Sequence, residues 1–262
     1  MHGIPQPTFC AVLGQVLEAL LRQVQRHIAL PTTPAQFNAM KAQFHAIAQM
    51  PYMIAALDCI HFALVSPQAH KAVYQNRKHY HSMNVQVTCD PNLIITHCCA
   101  RYPVSTHKAM VLRNSTLSGY MKRHRGQWTW IVEDSGYPQL PWLMTPVRDP
   151  QTSQEIAYDH AHSRTRVCIE RTFGLLKAQF CCPDRTGGAL MYATEKVCKN
   201  VLVCAMLHNI CRRWTVPLPP DMDMPPPEDE EAGPLAEANE RIACDDVRDG
   251  RYARQGLIEN LF

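Results

Sequence analysis

The amino-acid sequence predicts an α/β domain, and three observations carry that prediction. Residues 54–66, IAALDCIHFALVS, form a short, continuous apolar run of the kind a strand buried on both faces shows. Residues 83–90 (MNVQVTCD) and 93–102 (LIITHCCARY) flank Asp90-Pro91-Asn92, whose turn chemistry predicts an antiparallel hairpin. Helix-period apolar stripes precede and follow these strands.

Taken in order, Thr8 to Leu30 is predicted as one helix. Val12, Val16, Leu20, Val24 and Ile28 recur every fourth residue, with Leu13, Leu17 and Leu21 beside them. Pro5 and Pro7 before it suit a helix start, and Pro31-Thr32-Thr33-Pro34 ends it. A second helix is predicted from Ala35 to Ala48, stopping before Pro51. After the strand at 54–66 and the hairpin, Thr129–Asp134 (TWIVED) and Trp142–Val147 (WLMTPV) are predicted as further short strands. Ala161–Phe180 is predicted as a helix with Ile169, Phe173, Leu176 and Phe180 in one stripe. Val197–Trp214 is another, with Val201, Cys204, Leu207 and His208 inward. Residues 217–234, PLPPDMDMPPPEDEEAGP, have too little to bury to offset their ordering entropy and are predicted as a linker. The division expected is therefore a helical segment at 1–50, an α/β domain at 51–215, an acidic proline-rich linker at 216–240 and a tail at 241–262 carrying a short docking helix.

The 262 residues fit one large domain with appendages. No apolar run approaches the ~18–20 residues that span a bilayer, and the N-terminus does not read as a secretory signal. The 12 cysteines are scattered without CxxC spacing, so reduced thiols are expected rather than a disulfide framework. Net charge is +3, but it is unevenly placed: residues 1–215 carry 22 Lys and Arg against 11 Asp and Glu, and residues 216–262 carry 4 against 12. A body at +11 fits a polyanionic partner.

Within that basic body three acids sit inside apolar elements. Asp58 lies mid-strand, Asp134 ends WIVED, and Glu170 lies mid-helix in RVCIERTFG. A mid-strand Asp is costly unless it is paired or bound to a cation. Each acid alone is compatible with a buried ion pair, and Arg166 and Arg171 flank Glu170 closely enough to supply one. As a set, on two strands and a helix, they have the oxygen chemistry a hard divalent cation takes.

The residues around these acids resemble the DDE-type nuclease domain of PIF/Harbinger transposases and of the nucleases derived from them. The likeness lies in Leu57-Asp58-Cys59-Ile60-His61, in Glu133-Asp134-Ser135-Gly136-Tyr137 and in IERTFGLLK from Ile169 to Lys177. It extends to Asn76-Arg77-Lys78 with Ser82 and Asn84, to Trp142–Pro146, to Ala161-His162-Ser163 and to Leu207-His208-Asn209, all in the family's order, over roughly residues 5–215. The resemblance implies an RNase H-like mixed sheet flanked by helices. It implies a Mg²⁺- or Mn²⁺-dependent DNA endonuclease with Asp58, Asp134 and Glu170 as catalytic metal ligands. In that scheme two cations ~3.5–4 Å apart clamp a phosphodiester; Asp58 bridges both, and Asp134 and Glu170 hold one each. Arg77, Lys78, His107, Arg166 and Arg171 are the expected nucleic-acid contacts. A nuclear and cytoplasmic location and a separate Myb-like DNA-binding partner are further implications of the resemblance.

Three positions depart from the family pattern: Val104 and Glu133 replace glycines, and Lys108 replaces an acid. A cation at 108 facing the metals would weaken their binding, whereas Glu133 is expected to point away from Asp134 into solvent, as strand neighbours do. The segment before Thr8 matches only the turn ahead of the last helix of the family's helix-turn-helix-like module, so the upstream helices are expected to be missing. These departures keep open an alternative, a non-catalytic DNA-binding or adaptor protein that retains the fold.

Overall fold

The computed structural model describes residues 5–65, 71–124, 128–180, 189–217 and 244–262. Its centre is a five-stranded sheet in the order β3-β2-β1-β4-β5, formed by β1 (Met53–Ala63), β2 (Ser82–Cys89), β3 (Ile95–Pro103), β4 (Trp130–Val132) and β5 (Leu143–Met144). β1 pairs antiparallel with β2 and parallel with β4; β2 and β3 are antiparallel, β4 and β5 parallel. This is the RNase H-like mixed sheet. The β2–β3 hairpin turns at Asp90, whose Oδ1 accepts the Ile94 N–H at 2.8 Å, while Leu93 takes the left-handed φ of 64° that closes the turn.

The N-terminal helices are α1 (Gln6–Leu21), α2 (Val24–His27) and α3 (Pro34–Ala48). The single helix expected over Thr8–Leu30 is thus broken at Arg22-Gln23. Leu17 is its buried residue, while Val12 and Val16 of the predicted stripe face solvent. α3 starts at a capping box: the Thr33 hydroxyl accepts the Gln36 N–H, and the Gln36 side chain accepts the Thr33 N–H. α1 and α2 pack on α8 (Thr194–Arg213), and α3 packs on β1 and α7 (Ser153–Phe180).

Both long helices lie on one face of the sheet. Met83 and Cys89 share a face of β2; the Cys198 Sγ of α8 meets Met83 and the Cys168 Sγ of α7 meets Cys89, at 3.9 and 3.8 Å. On the other face, His97 of β3 bonds Thr116 at the start of α6 (Thr116–Arg123), which follows α5 (Lys108–Asn114). A short turn of helix, α4 (Lys71–Tyr74), precedes β2. Asn209 of α8 is buried and saturates an exposed sheet edge: its Oδ1 accepts the Ile95 N–H, and its Nδ2 donates to the carbonyls of Ile95 and His27. The neighbouring His208 bonds the Leu93 carbonyl and Gln179. The Leu207-His208-Asn209 motif therefore ties α8 to the start of β3.

α9 (Cys244–Leu261) is the expected docking helix. Leu257 and Ile258 are buried, and the helix rests on α7 and β5. Most of the predicted linker at 216–240 lies outside the described residues. Cysteines among the described residues are free thiols, and no described helix is long and apolar enough to cross a membrane.

Candidate metal and nucleic-acid site

Strand register brings the first two acids together. Ala56 of β1 is paired with Val132 of β4, so two residues further along each parallel chain Asp58 and Asp134 stand level. β4 stops at Val132, and the edge of β1 is open beside Asp58. Asp58 is 7% exposed and its carboxylate is fully committed: Oδ1 accepts the Cys59 N–H at 2.7 Å and the Lys108 ammonium at 2.9 Å, and Oδ2 accepts Arg166 at 2.7 Å.

Asp134 turns back on its own loop. Its Oδ1 accepts the Gly136 N–H at 2.8 Å, and its Oδ2 accepts Lys108 at 2.8 Å. A Cβ at 136 would lie 2.9 Å from Asp134 Oδ1, so any side chain there would push this carboxylate out of position. Burial, the largest influence, pushes the Asp134 carboxyl upward; Lys108, followed by the Glu133 side chain and Arg166, outweighs it and holds the group at about 2.

Glu170, on α7, is the most exposed of the three, with 40% of its side chain accessible. Arg166 stands one helical turn before it and lies 3.8 Å from its Oε1. Asp58 and its neighbours raise Arg166 above its ordinary pKa against the effect of burial, so it is a permanent cation.

The three acids therefore share one end of the sheet but touch through cations. Lys108 sits between Asp58 and Asp134, and Arg166 between Asp58 and Glu170. Among the described residues no three His, Cys, Asp or Glu side chains approach closely enough to form a ready ligand set. One buried carboxylate serves two positive charges at once, and a different second carboxylate completes each seat. That is the charge pattern two hard cations need, so the donors fit divalent metal, subject to the displacement of two side chains.

Lys108 was singled out from sequence as a departure, and the structure shows why it matters. It begins α5 directly after the N-cap His107, and its ammonium also lies 5.8 Å from the centre of the Tyr137 ring. Tyr137 is fixed from behind by Cys59 Sγ at 3.1 Å and by Gln86 Nε2 at 3.4 Å.

Glu133 corrects the sequence expectation. It is not solvated: it is 0% exposed, and its carboxyl lies beside that of Asp134. Burial, reinforced by the Asp134 charge, holds its carboxyl well above the usual range. The residues flanking it, Val132 and the Asp134 turn, leave no path to water, and a three-residue strand offers too little alternation for sequence to reveal this.

The expected nucleic-acid contacts divide. Arg77 and Lys78 are exposed in a turn held by Asn76, whose Oδ1 accepts the N–H groups of Lys78 and Tyr80 at 3.0 and 3.2 Å. This turn adjoins the segment before His107, since Ser105 N–H donates to the Val73 carbonyl. Arg171 is exposed beside Glu170. His107 has Nδ1 committed to the Ala109 N–H at 3.2 Å, and burial followed by the Lys108 charge lowers its pKa. Arg166 is engaged by Asp58 and Glu170 rather than facing open solvent.

An RNase H-like sheet whose central strand and neighbouring strand end deliver carboxylates to one edge is the architecture of a nuclease-type domain. The comparisons agree. A family model described as DDE superfamily endonuclease matches residues 57–209. The chain is 35% identical over 234 residues to the Homo sapiens protein named "Putative nuclease HARBI1", covering 87% of this chain and 67% of that one. The Rattus norvegicus protein of the same name is 35% identical over 246 residues, with 92% and 70% covered, and that of Xenopus laevis 30% over 208, with 79% and 60% covered. No solved structure matches the chain. The chain belongs to the DDE superfamily endonucleases, and the relatives above are each named as a nuclease.

Proposed function

We propose that this protein is a divalent-metal-dependent DNA endonuclease of Harbinger transposase descent, with Asp58, Asp134 and Glu170 as the ligands. The observation that carries the reading is the double commitment of Asp58, whose two oxygens serve two separate positive charges that Asp134 and Glu170 complete. When bound, Mg²⁺ or Mn²⁺ supplies a water of lowered pKa and charge stabilisation at the leaving oxygen. The chain's own contribution is positional. The Cys59 N–H fixes the rotamer of Asp58, the Gly136 N–H fixes that of Asp134, and Lys108 leaves its seat. Arg77, Lys78 and Arg171 remain available for phosphate. DNA as substrate, a nuclear site of action and a Myb-like partner belong to the same proposal and rest on the family likeness.

Purified protein should nick supercoiled plasmid with Mg²⁺ or Mn²⁺ and not in EDTA. Asp58→Asn should abolish nicking with the circular dichroism spectrum unchanged. Equal cutting by wild type and variant would defeat the reading.

The Lys108 contacts favour a second reading, a DNA-binding protein that retains the fold without catalysis. In that case salt-dependent DNA binding persists, plasmid is never cut, and loss of the three acids leaves affinity unchanged.

A further inference from the structure

A cleft of roughly 350 Å³ opens one residue from Asp134, between the Ser135–Gln139 loop, the segment after β5 and helix α9. Three arginines line it: Arg148 from the segment after β5, and Arg251 and Arg254 from α9. Among the described residues none of the three forms an ion pair, although the Arg254 charge acts on the Asp159 and Glu155 carboxyls. Arg254 donates to the Thr145 carbonyl and hydroxyl and to the Pro146 carbonyl, at 3.3, 3.0 and 2.7 Å, all neutral acceptors. Arg148 and Arg251 are exposed, and among the described residues neither joins an ion pair. The two acids that feel the Arg254 charge are bonded to backbone. Asp159 accepts the Val147 N–H at 2.8 Å, and Glu155 accepts those of Gln151 and Thr152 at 2.8 and 3.0 Å.

The wall that carries two of these arginines is held firmly. Gly250 lets the α9 backbone press on the Gln139–Leu140 segment, since a Cβ at 250 would lie 2.6 Å from the Gln139 carbonyl oxygen. Gln139 Nε2 reaches back to the Gly250 carbonyl at 3.3 Å. Arg251 is thereby placed one residue beyond an anchored point. The cleft lining holds three planar guanidinium forks and a serine and no carboxylate, which is the chemistry that recognises phosphate.

We propose that this cleft holds backbone phosphate of the DNA strand that reaches the acid cluster, with Arg148 and Arg251 as direct contacts and Arg254 as the positioning residue that braces the wall. The inference rests on the proposed DNA substrate, and it adds a binding role for the C-terminal helix.

The test is fluorescence anisotropy of a labelled DNA duplex of arbitrary sequence, in EDTA, across a salt series. Full-length wild type, Arg148→Ala/Arg251→Ala and Arg22→Ala are compared. Arg22 is an exposed arginine at the end of α1, in the layer that packs on α8. Each lost phosphate contact lowers the slope of log affinity against log salt by about 0.9. The double variant should therefore show a slope smaller by about 1–2, with several-fold weaker binding, and Arg22→Ala should match wild type. A double variant with the wild-type slope, or one that loses no more than Arg22→Ala, overturns the cleft assignment while leaving the DNA reading standing. Wild type that binds no DNA overturns both. Because no metal is present, the nicking result with Asp58→Asn is independent of this outcome.

Discussion

Replacing Lys108 by alanine removes the side chain that bridges Asp58 and Asp134, and the structure sets the size of the effect. Burial pushes the Asp134 carboxyl up, and Lys108, with the Glu133 side chain and Arg166 behind it, more than offsets that and brings the group from an ordinary 3.8 to about 2. At ~1.4 kcal/mol per pKa unit the net stabilisation of the carboxylate is on the order of 2–3 kcal/mol at neutral pH, with Lys108 its largest favourable source. In EDTA, Lys108→Ala should lose about that much stability, since two mostly buried carboxylates are left facing each other. For a domain near this size the melting temperature falls by about 2–4 °C per kcal/mol, or roughly 5–10 °C in all. Metal binding moves the other way. A divalent cation entering the Asp58–Asp134 seat of wild type must first break the Lys108 contacts, and 2–3 kcal/mol corresponds to about 30- to 150-fold in affinity. Mn²⁺ titrated into wild type and Lys108→Ala, with free ion read by electron paramagnetic resonance, should show tighter binding to the variant by that order. Scanning fluorimetry should show Mn²⁺ restoring the stability lost in EDTA. Identical Mn²⁺ affinity in the two proteins would refute the claim that Lys108 competes for the metal seat.

Other perturbations follow from the same geometry. His97 and His162 are buried, chiefly for that reason held at about 4 against an ordinary 6.5; their contribution is present above pH 6.5 and is lost as pH falls towards 4, about 3 kcal/mol each. Urea melts at pH 7.5 and 4.5 should show this loss, and His97→Gln should reduce it. Glu133→Gln should stabilise the protein at pH 8, because the enclosed carboxyl favours folding only while protonated and its contribution fades as pH rises above its ordinary 4.5; melting curves at pH 5 and 8 should show the gain only at the higher value. Gly250→Ala should detach α9, given the 2.6 Å approach of a new Cβ to backbone, and limited proteolysis should then cleave near the C-terminus.

Much of the fold was legible because the central strands are long and bounded by clear turns. β1, β2 and β3 overlap the runs that sequence predicts, each passing one residue beyond one end, and Asp90-Pro91-Asn92 marks the β2–β3 hairpin. α5 and α6 were not legible: at 7 and 8 residues, broken at Ser115, they are too short to establish a helical period. α7 begins at Ser153 rather than Ala161. Its start was signalled by Thr152 and Glu155, which form a reciprocal cap, the Thr152 hydroxyl accepting the Glu155 N–H and the Glu155 carboxylate accepting that of Thr152. At the candidate site, chemistry named the acids, but spacing along the chain could not show what lies between them. The Lys108 bridge joins residues 50 and 26 positions apart, and the enclosure of Glu133 depends on its neighbours in three dimensions. The arginine cleft draws on α9, across a segment whose composition carries no tertiary information.

The most direct test of the central claim is a Mn²⁺-soaked crystal examined by anomalous scattering. The account predicts manganese peaks coordinated by Asp58 together with Asp134 and Glu170, with the Lys108 ammonium displaced from between the two aspartates. Well-ordered crystals in saturating Mn²⁺ that show no anomalous peak at Asp58, with Lys108 still bridging Asp58 and Asp134, would contradict it.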